Sequence, residues 1–136
     1  MKRLLVELIP LGIFIVAVLL KLINIPYQSW IIFFDGFLLM IMYMLLSFWL
    51  FEDSAIRIIY KVLIGFVYMF TILVFMFLLF NLYGVLLIVG AGYTILLCHL
   101  LNCLFKIKTP FYKQHFYRSM LFLIMLTLIY IRHYYY

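Results

Sequence analysis

The stretch IIYKVLIGFVYMFTILVFMFLL, residues 58–79, holds a single charged side chain, Lys61, one turn from its beginning. About 20 apolar residues carry a helix across the hydrocarbon core of a bilayer, and this run meets that length. Three more runs match it. Leu4 to Ile23 follows Lys2 and Arg3, Trp30 to Phe51 ends at Glu52 and Asp53, and Val85 to Phe105 ends at Lys106 and Lys108. The sequence therefore predicts an all-α, polytopic integral membrane protein. Helices are expected over 4–23, 30–51, 58–79 and 85–105, as two transmembrane hairpins in one membrane domain covering 1–136.

Composition points the same way. Of 136 residues, 71% are hydrophobic and 10% charged, whereas a soluble domain needs roughly 25% charged residues to wet its surface. Such richness in aromatic and branched aliphatic residues also excludes a disordered chain. The net charge of +6 does not indicate nucleic acid, because the basic residues sit at the ends of apolar runs rather than on a shared face. Cys98 and Cys103 lie within one apolar run, so no disulfide framework is expected. Met1-Lys2-Arg3 before an apolar run imitates a secretory signal, but Glu7 and Pro10 interrupt it and no small-x-small site follows. An uncleaved first helix is expected.

The connections are short. Asn24 to Ser29 joins the first pair of helices, with Pro26 disfavouring helix before it, and Asn81 to Gly84 joins the second, with Gly84 free to take a positive φ. Lys2, Arg3, Arg57, Lys61, Lys106, Lys108, Lys113 and Arg118 all fall on one side of this threading, and Lys21 faces them from the other. Counting positive charges places the N-terminus and the second connection in the cytoplasm; a multi-pass protein of a bacterial inner membrane is expected.

A further helix is expected over about 116–132. Arg118 and Arg132 bracket a run too short for an ordinary span. It reads either as a thin fifth crossing helped by snorkelling arginines and Tyr130, or as a helix lying in the interface. Before it, Lys106 to Arg118 interleaves basic and aromatic residues beside a membrane helix. Lys106, Lys108, Lys113 and Arg118 are expected either to contact anionic lipid headgroups or to act as a plain topology anchor.

The two hairpins resemble each other: in both an Asn (Asn24, Asn81) closes the outgoing helix, and Gly36 or Gly90 and Gly92 lie in the return. A repeat of this kind would be parallel. Within the first hairpin, LLKLINIPYQSWIIFFDGFLLMIMYMLL, residues 19–46, resembles the transmembrane hairpin of GldL-type proteins of gliding motility and type IX secretion. Lys21, Pro26 and Gly36 stand at the matching places, so the resemblance implies a shared hairpin architecture. That family's deep acidic membrane residue has no clear counterpart, Asp35 being the acidic residue of this return helix, and its large cytoplasmic region is not matched.

Ionisable groups inside a span are functional candidates, since each costs roughly 2.5–3.5 kcal/mol at the centre on insertion scales. Glu7, one turn into the first helix with Arg3 at i−4, reads foremost as a snorkelling carboxylate near the headgroups. Asp35 and Lys21 lie near the same membrane face on adjoining helices and read as a hairpin ion pair, with an outward-opening ion or proton site as the alternative. His99 shares a helix face with Gly92, Leu96 and Cys103. Together with Gly84, Gly90 and Ala91 this marks the fourth helix as the principal packing helix, because small residues let helices approach closely.

No Gly-rich phosphate loop, nucleophile elbow or paired metal-ligand motif occurs in the sequence. No cofactor, metal site or enzyme activity is expected. The expected role is a noncatalytic scaffold or accessory subunit that self-associates or joins a larger membrane complex. The alternative is a small oligomeric transporter or channel using Asp35, Glu7 and His99.

Overall fold

The computed structural model describes residues 2–23, 28–51 and 53–135, with the side chains of Lys2 and Leu4 left aside. The bend at Asn24–Tyr27, including Pro26, and the end of the second expected helix at Glu52 lie outside the described residues. The elements in order are α1 (Lys2–Leu22), α2 (Gln28–Leu45), α3 (Ser47–Leu50), α4 (Ile58–Leu79), α5 (Val85–Phe105) and α6 (Pro110–Tyr135). All are helical. Five of them, all but α3, are long and apolar enough to cross a membrane.

Two elements depart from the expected bounds. The helix expected over 30–51 breaks at Leu46, which has φ −111° and ψ 6°. The break coincides with the closest approach of α4: a Cβ added to Gly65 would overlap the Tyr43 carbonyl oxygen and Ser47 Cβ. The C-terminal helix, expected over 116–132, instead starts at Pro110 and runs 26 residues. Proline is favoured in the first helical position, where its missing N–H would have no partner anyway. The Thr109 carbonyl accepts the Lys113 N–H at 3.0 Å and closes the first turn. The basic, aromatic strip from Pro110 to Arg118 is thus the opening of α6 and divides its residues between two faces, while Lys106 to Thr109 form the turn before it.

The chain divides into two compact units, one through Met76 and one from Phe77 onward. In the first, α1 packs chiefly on α2, and both touch α3. Its core is made of fully buried Phe14, Val18, Ile32, Leu39, Tyr43, Tyr68, Ile72 and Phe75. Gly36 of α2 admits two neighbours: a Cβ there would stand 2.9 Å from Phe14 Cε2 and 3.1 Å from Met76 Sδ. Phe14 also stacks on Phe75, with ring centroids 6.2 Å apart. Apolar burial alone drives little association in lipid, so such close contacts carry much of the packing.

The second unit is organised by the α5–α6 contact. Val89, Gly92, Leu96, His99 and Cys103 form the buried seam of α5, their spacing alternating between three and four residues as a helix face requires. Phe111, His115, Ser119, Phe122, Leu126 and Ile129 answer from α6. Ahead of α5 the chain turns through Asn81 at φ 51° and Gly84 at φ 78°. Both lie in the left-handed region that glycine enters without penalty and Asn tolerates.

Candidate functional site

Glu7 in the first unit and His99 in the second each stand in a buried helix contact, and Asp35 lies apart from the Glu7 seam. In the first unit, Glu7 belongs to the buried stripe Glu7, Leu11, Phe14, Val18 and is 1% exposed. The Tyr43 hydroxyl of α2 donates to Glu7 Oε1 at 2.9 Å. Tyr43 in turn packs on Tyr68 of α4, ring centroids 5.4 Å apart, and both rings touch Phe51. The expectation of Glu7 snorkelling to the headgroups is corrected here. Helical phase directs its Cβ into the helix contact, and a tyrosine hydroxyl meets it there. Arg3 lies with its guanidinium 5.2 Å from the centre of the Trp49 ring, within cation–π range.

Toward the other end of the same unit, Lys21 Nζ donates to Ser29 Oγ at 3.0 Å. The expected Lys21–Asp35 pair is not made through Asp35 Oδ2, which has no hydrogen-bond partner. Asp35 sits in a shallow, open groove lined by Trp30, Ile31, Phe34 and Leu38. Its Oδ2 is buried with no hydrogen-bond partner. Between Asp35 and Tyr43, about 12 Å apart along α2 at 1.5 Å per residue, lie fully buried Leu39 and the Phe14–Gly36–Met76 contact. That layer is apolar.

In the second unit, His99 and Cys103, one turn apart on α5, bring Nε2 and Sγ to 3.5 Å. The His115 ring of α6 faces His99 with centroids 6.4 Å apart and packs on Phe111 at 4.5 Å. All three polar side chains are buried. Ser119 Oγ donates to the His115 carbonyl at 2.8 Å, closing the next turn. No three His, Cys, Asp or Glu side chains among the described residues converge as a metal ion requires.

The face Gly92, Leu96, His99, Cys103 read from the sequence is buried as a set. His115, missed because it falls in the basic and aromatic strip, is its partner. The regular spacing of His115, Ser119, Phe122, Leu126 and Ile129 is the signal that finds it. Gly92 lies in the seam, whereas Gly84, Gly90 and Ala91 are exposed. A Cβ on Gly84 or Gly90 would meet nothing within 4 Å. Tight glycine approaches also occur at Gly36 and Gly65, both in the first unit. Lys106, Lys108 and Lys113 are exposed and Arg118 half-buried. The Lys106 ammonium lies 5.0 Å from the centre of the Tyr112 ring, so the cationic side of α6 stands outside its buried seam.

This arrangement can join helices through hydrogen bonds and hold a cationic surface. Comparison with known proteins yields no match to any family, any curated protein or any solved structure.

Proposed function

We propose that this chain is a noncatalytic multi-pass membrane protein serving as a scaffold or accessory subunit of a membrane assembly. One observation carries the reading: side-chain hydrogen bonds join helices within each unit, and in the first unit an apolar layer parts Glu7 from Asp35. Glu7 of α1 is tied to Tyr43 of α2, the Tyr93 hydroxyl of α5 donates to Thr127 Oγ1 of α6, and Leu39, Phe14 and Met76 intervene between the Glu7 seam and Asp35. Polar groups placed this way lock helices together; a transport route would need them in a continuous line.

The five apolar helices then cross the bilayer with the N-terminus in the cytoplasm, because Arg57, Lys61 and the Lys106–Arg118 cluster share a side with Lys2 and Arg3. The exposed lysines at the start of α6 meet anionic headgroups, each contributing roughly 1 kcal/mol near the surface. The resemblance of residues 19–46 to the GldL-type hairpin fits a hairpin that packs inside such an assembly.

The test uses the full chain in lipid nanodiscs and proteoliposomes. Native mass measurement should find a defined oligomer or a complex with co-purifying membrane protein, and dye-reported proton and cation flux should stay at the level of empty vesicles. Flux that disappears in Asp35→Asn, with the assembly unchanged, would replace this reading with transport.

A further inference from the structure

We infer that the Trp30–Leu38 face of α2 is a docking surface for a transmembrane helix of another protein, with Asp35 receiving a lysine or arginine side chain from that helix. This rests on the membrane-subunit reading above and names the contact through which the subunit joins its partner.

Asp35 differs from the other acidic group inside the helices. Glu7 is buried within its own unit and receives a tyrosine hydrogen bond. Asp35 opens onto a groove, yet its Oδ2 has neither solvent nor a hydrogen-bond partner. Among the described residues Ser47 Oγ is the other unpartnered buried atom, but that hydroxyl lies against Gly65 of α4. Ionisable side chains in a span ordinarily face the bundle interior or a watery cavity, where they pair. A carboxylate on an apolar outward face is thus an incomplete interaction.

The groove's shape and chemistry narrow what completes it. Trp30, Ile31, Phe34, Asp35 and Leu38 follow one another at helical spacing along a single helix. A second helix lies naturally along such a ridge, its apolar side chains between those of α2. Trp30 stacks on Phe34 with centroids 6.2 Å apart, and Phe33 meets the same ring edge-on at 5.7 Å. These contacts hold Phe34 as a wall beside the carboxylate. A bare inorganic cation would need several oxygen ligands, and the groove lining offers one carboxylate among four apolar side chains. An ammonium or guanidinium brings its own donors and needs only the carboxylate. Asp35 lies seven residues, about 10 Å, below the start of α2, so the complementary charge belongs on a helix rather than on a lipid headgroup.

The experiment places the donor-labelled full chain in zwitterionic phosphatidylcholine vesicles with acceptor-labelled synthetic helices. One probe is an alanine–leucine transmembrane peptide with a single lysine about two turns from its outer end. A second has leucine at that position, and a third has the lysine one turn deeper. The first peptide should give half-maximal energy transfer at a peptide-to-lipid ratio at least tenfold lower than the other two. Asp35→Asn, close in shape and retaining its folded melting profile, should abolish that preference. Equal transfer for the lysine and leucine peptides, or an unchanged preference in Asp35→Asn, would overturn the inference while leaving the scaffold reading in place. Self-association lost in Asp35→Asn and not displaced by the lysine peptide would assign the surface to a second copy, also overturning it. Asp35-dependent ion flux without peptide binding would overturn both.

Discussion

Tyr43 Oη donates a 2.9 Å hydrogen bond to Glu7 Oε1, joining α1 and α2 between residues 36 apart in sequence. The bond is buried on both sides, and its tyrosine packs on the Tyr68 ring of α4. Removing the hydroxyl leaves a buried carboxylate short of a donor. Tyr43→Phe should therefore destabilise the folded protein by about 1–2 kcal/mol, between the cost of an unsatisfied buried acceptor and the smaller values found for bonds in membranes. Glu7→Gln retains an acceptor for Tyr43 and should lose less. Unfolding in a graded mixture of mild and denaturing detergent measures both. Equal stability of wild type and Tyr43→Phe would show that the bond contributes nothing to the fold.

Gly65 and Gly90 should respond oppositely to a methyl group. At Gly65 the added Cβ overlaps the backbone carbonyl of Tyr43 and Ser47 Cβ, while at Gly90 it meets open space. Overfilling a tight contact costs roughly 1–3 kcal/mol, and here the neighbour is backbone, which cannot rotate away. Gly65→Ala should lower the melting temperature in detergent and reduce the monodisperse yield; Gly90→Ala should change neither. A stable Gly65→Ala protein would mean that α4 can withdraw from the Leu46 break without loss.

Much of the fold is legible because length and hydropathy alone mark a helix of membrane dimensions. Ile58–Leu79 and Val85–Phe105 have the bounds expected of them. The break at Leu46 is not legible, since no proline or glycine lies there and the glycine packed beside it, Gly65, is nearly twenty residues away. The start of α6 is obscured because Lys113, Gln114, His115 and Arg118 dilute the apolar signal that the rest of the helix provides. In the polar seams, periodicity carried the information that neighbourhood in sequence concealed. Glu7 follows the phase of Leu11, Phe14 and Val18, and His115 follows that of Ser119 and Phe122. Asp35 was legible as a residue of interest, but its unpartnered oxygen depends on where Lys21 points, which no sequence pattern specifies.

The two cysteines should be chemically distinct although five residues apart. Cys98 is exposed and Cys103 is fully buried against His99. In mild detergent, N-ethylmaleimide should alkylate Cys98 while sparing Cys103, and both should react after denaturation. His115→Ala removes one wall of the seam and should expose Cys103 to the reagent in the folded state. Mass spectrometry of the digested protein reads the two sites separately. Equal native labelling would place Cys103 outside the α5–α6 contact.

Threading fixes which groups meet water, and α6 makes it testable at three points. Its 26 residues span about 39 Å at 1.5 Å per residue, more than the roughly 30 Å hydrocarbon core. The helix can cross with its basic first turns, Lys113 and Arg118, at one surface and Arg132 at the other. Reporter fusions at residue 54 should report cytoplasmic, fusions near Tyr83 external, and fusions following residue 135 external. The first two follow from Lys2, Arg3, Arg57 and Lys61 lying on one side. The third requires α6 to cross, because the Lys106–Thr109 turn leaves its start on the cytoplasmic side with Lys106 and Lys108. A cytoplasmic result at residue 135 would lay α6 in the interface. Its apolar residues Ile124, Leu128 and Ile131, exposed in this fold, would then rest on the lipid surface instead of spanning it. An external result at residue 54 with a cytoplasmic one near Tyr83 would invert the whole chain, and the exposed lysines at the start of α6 would face away from the anionic leaflet that gives them their proposed role.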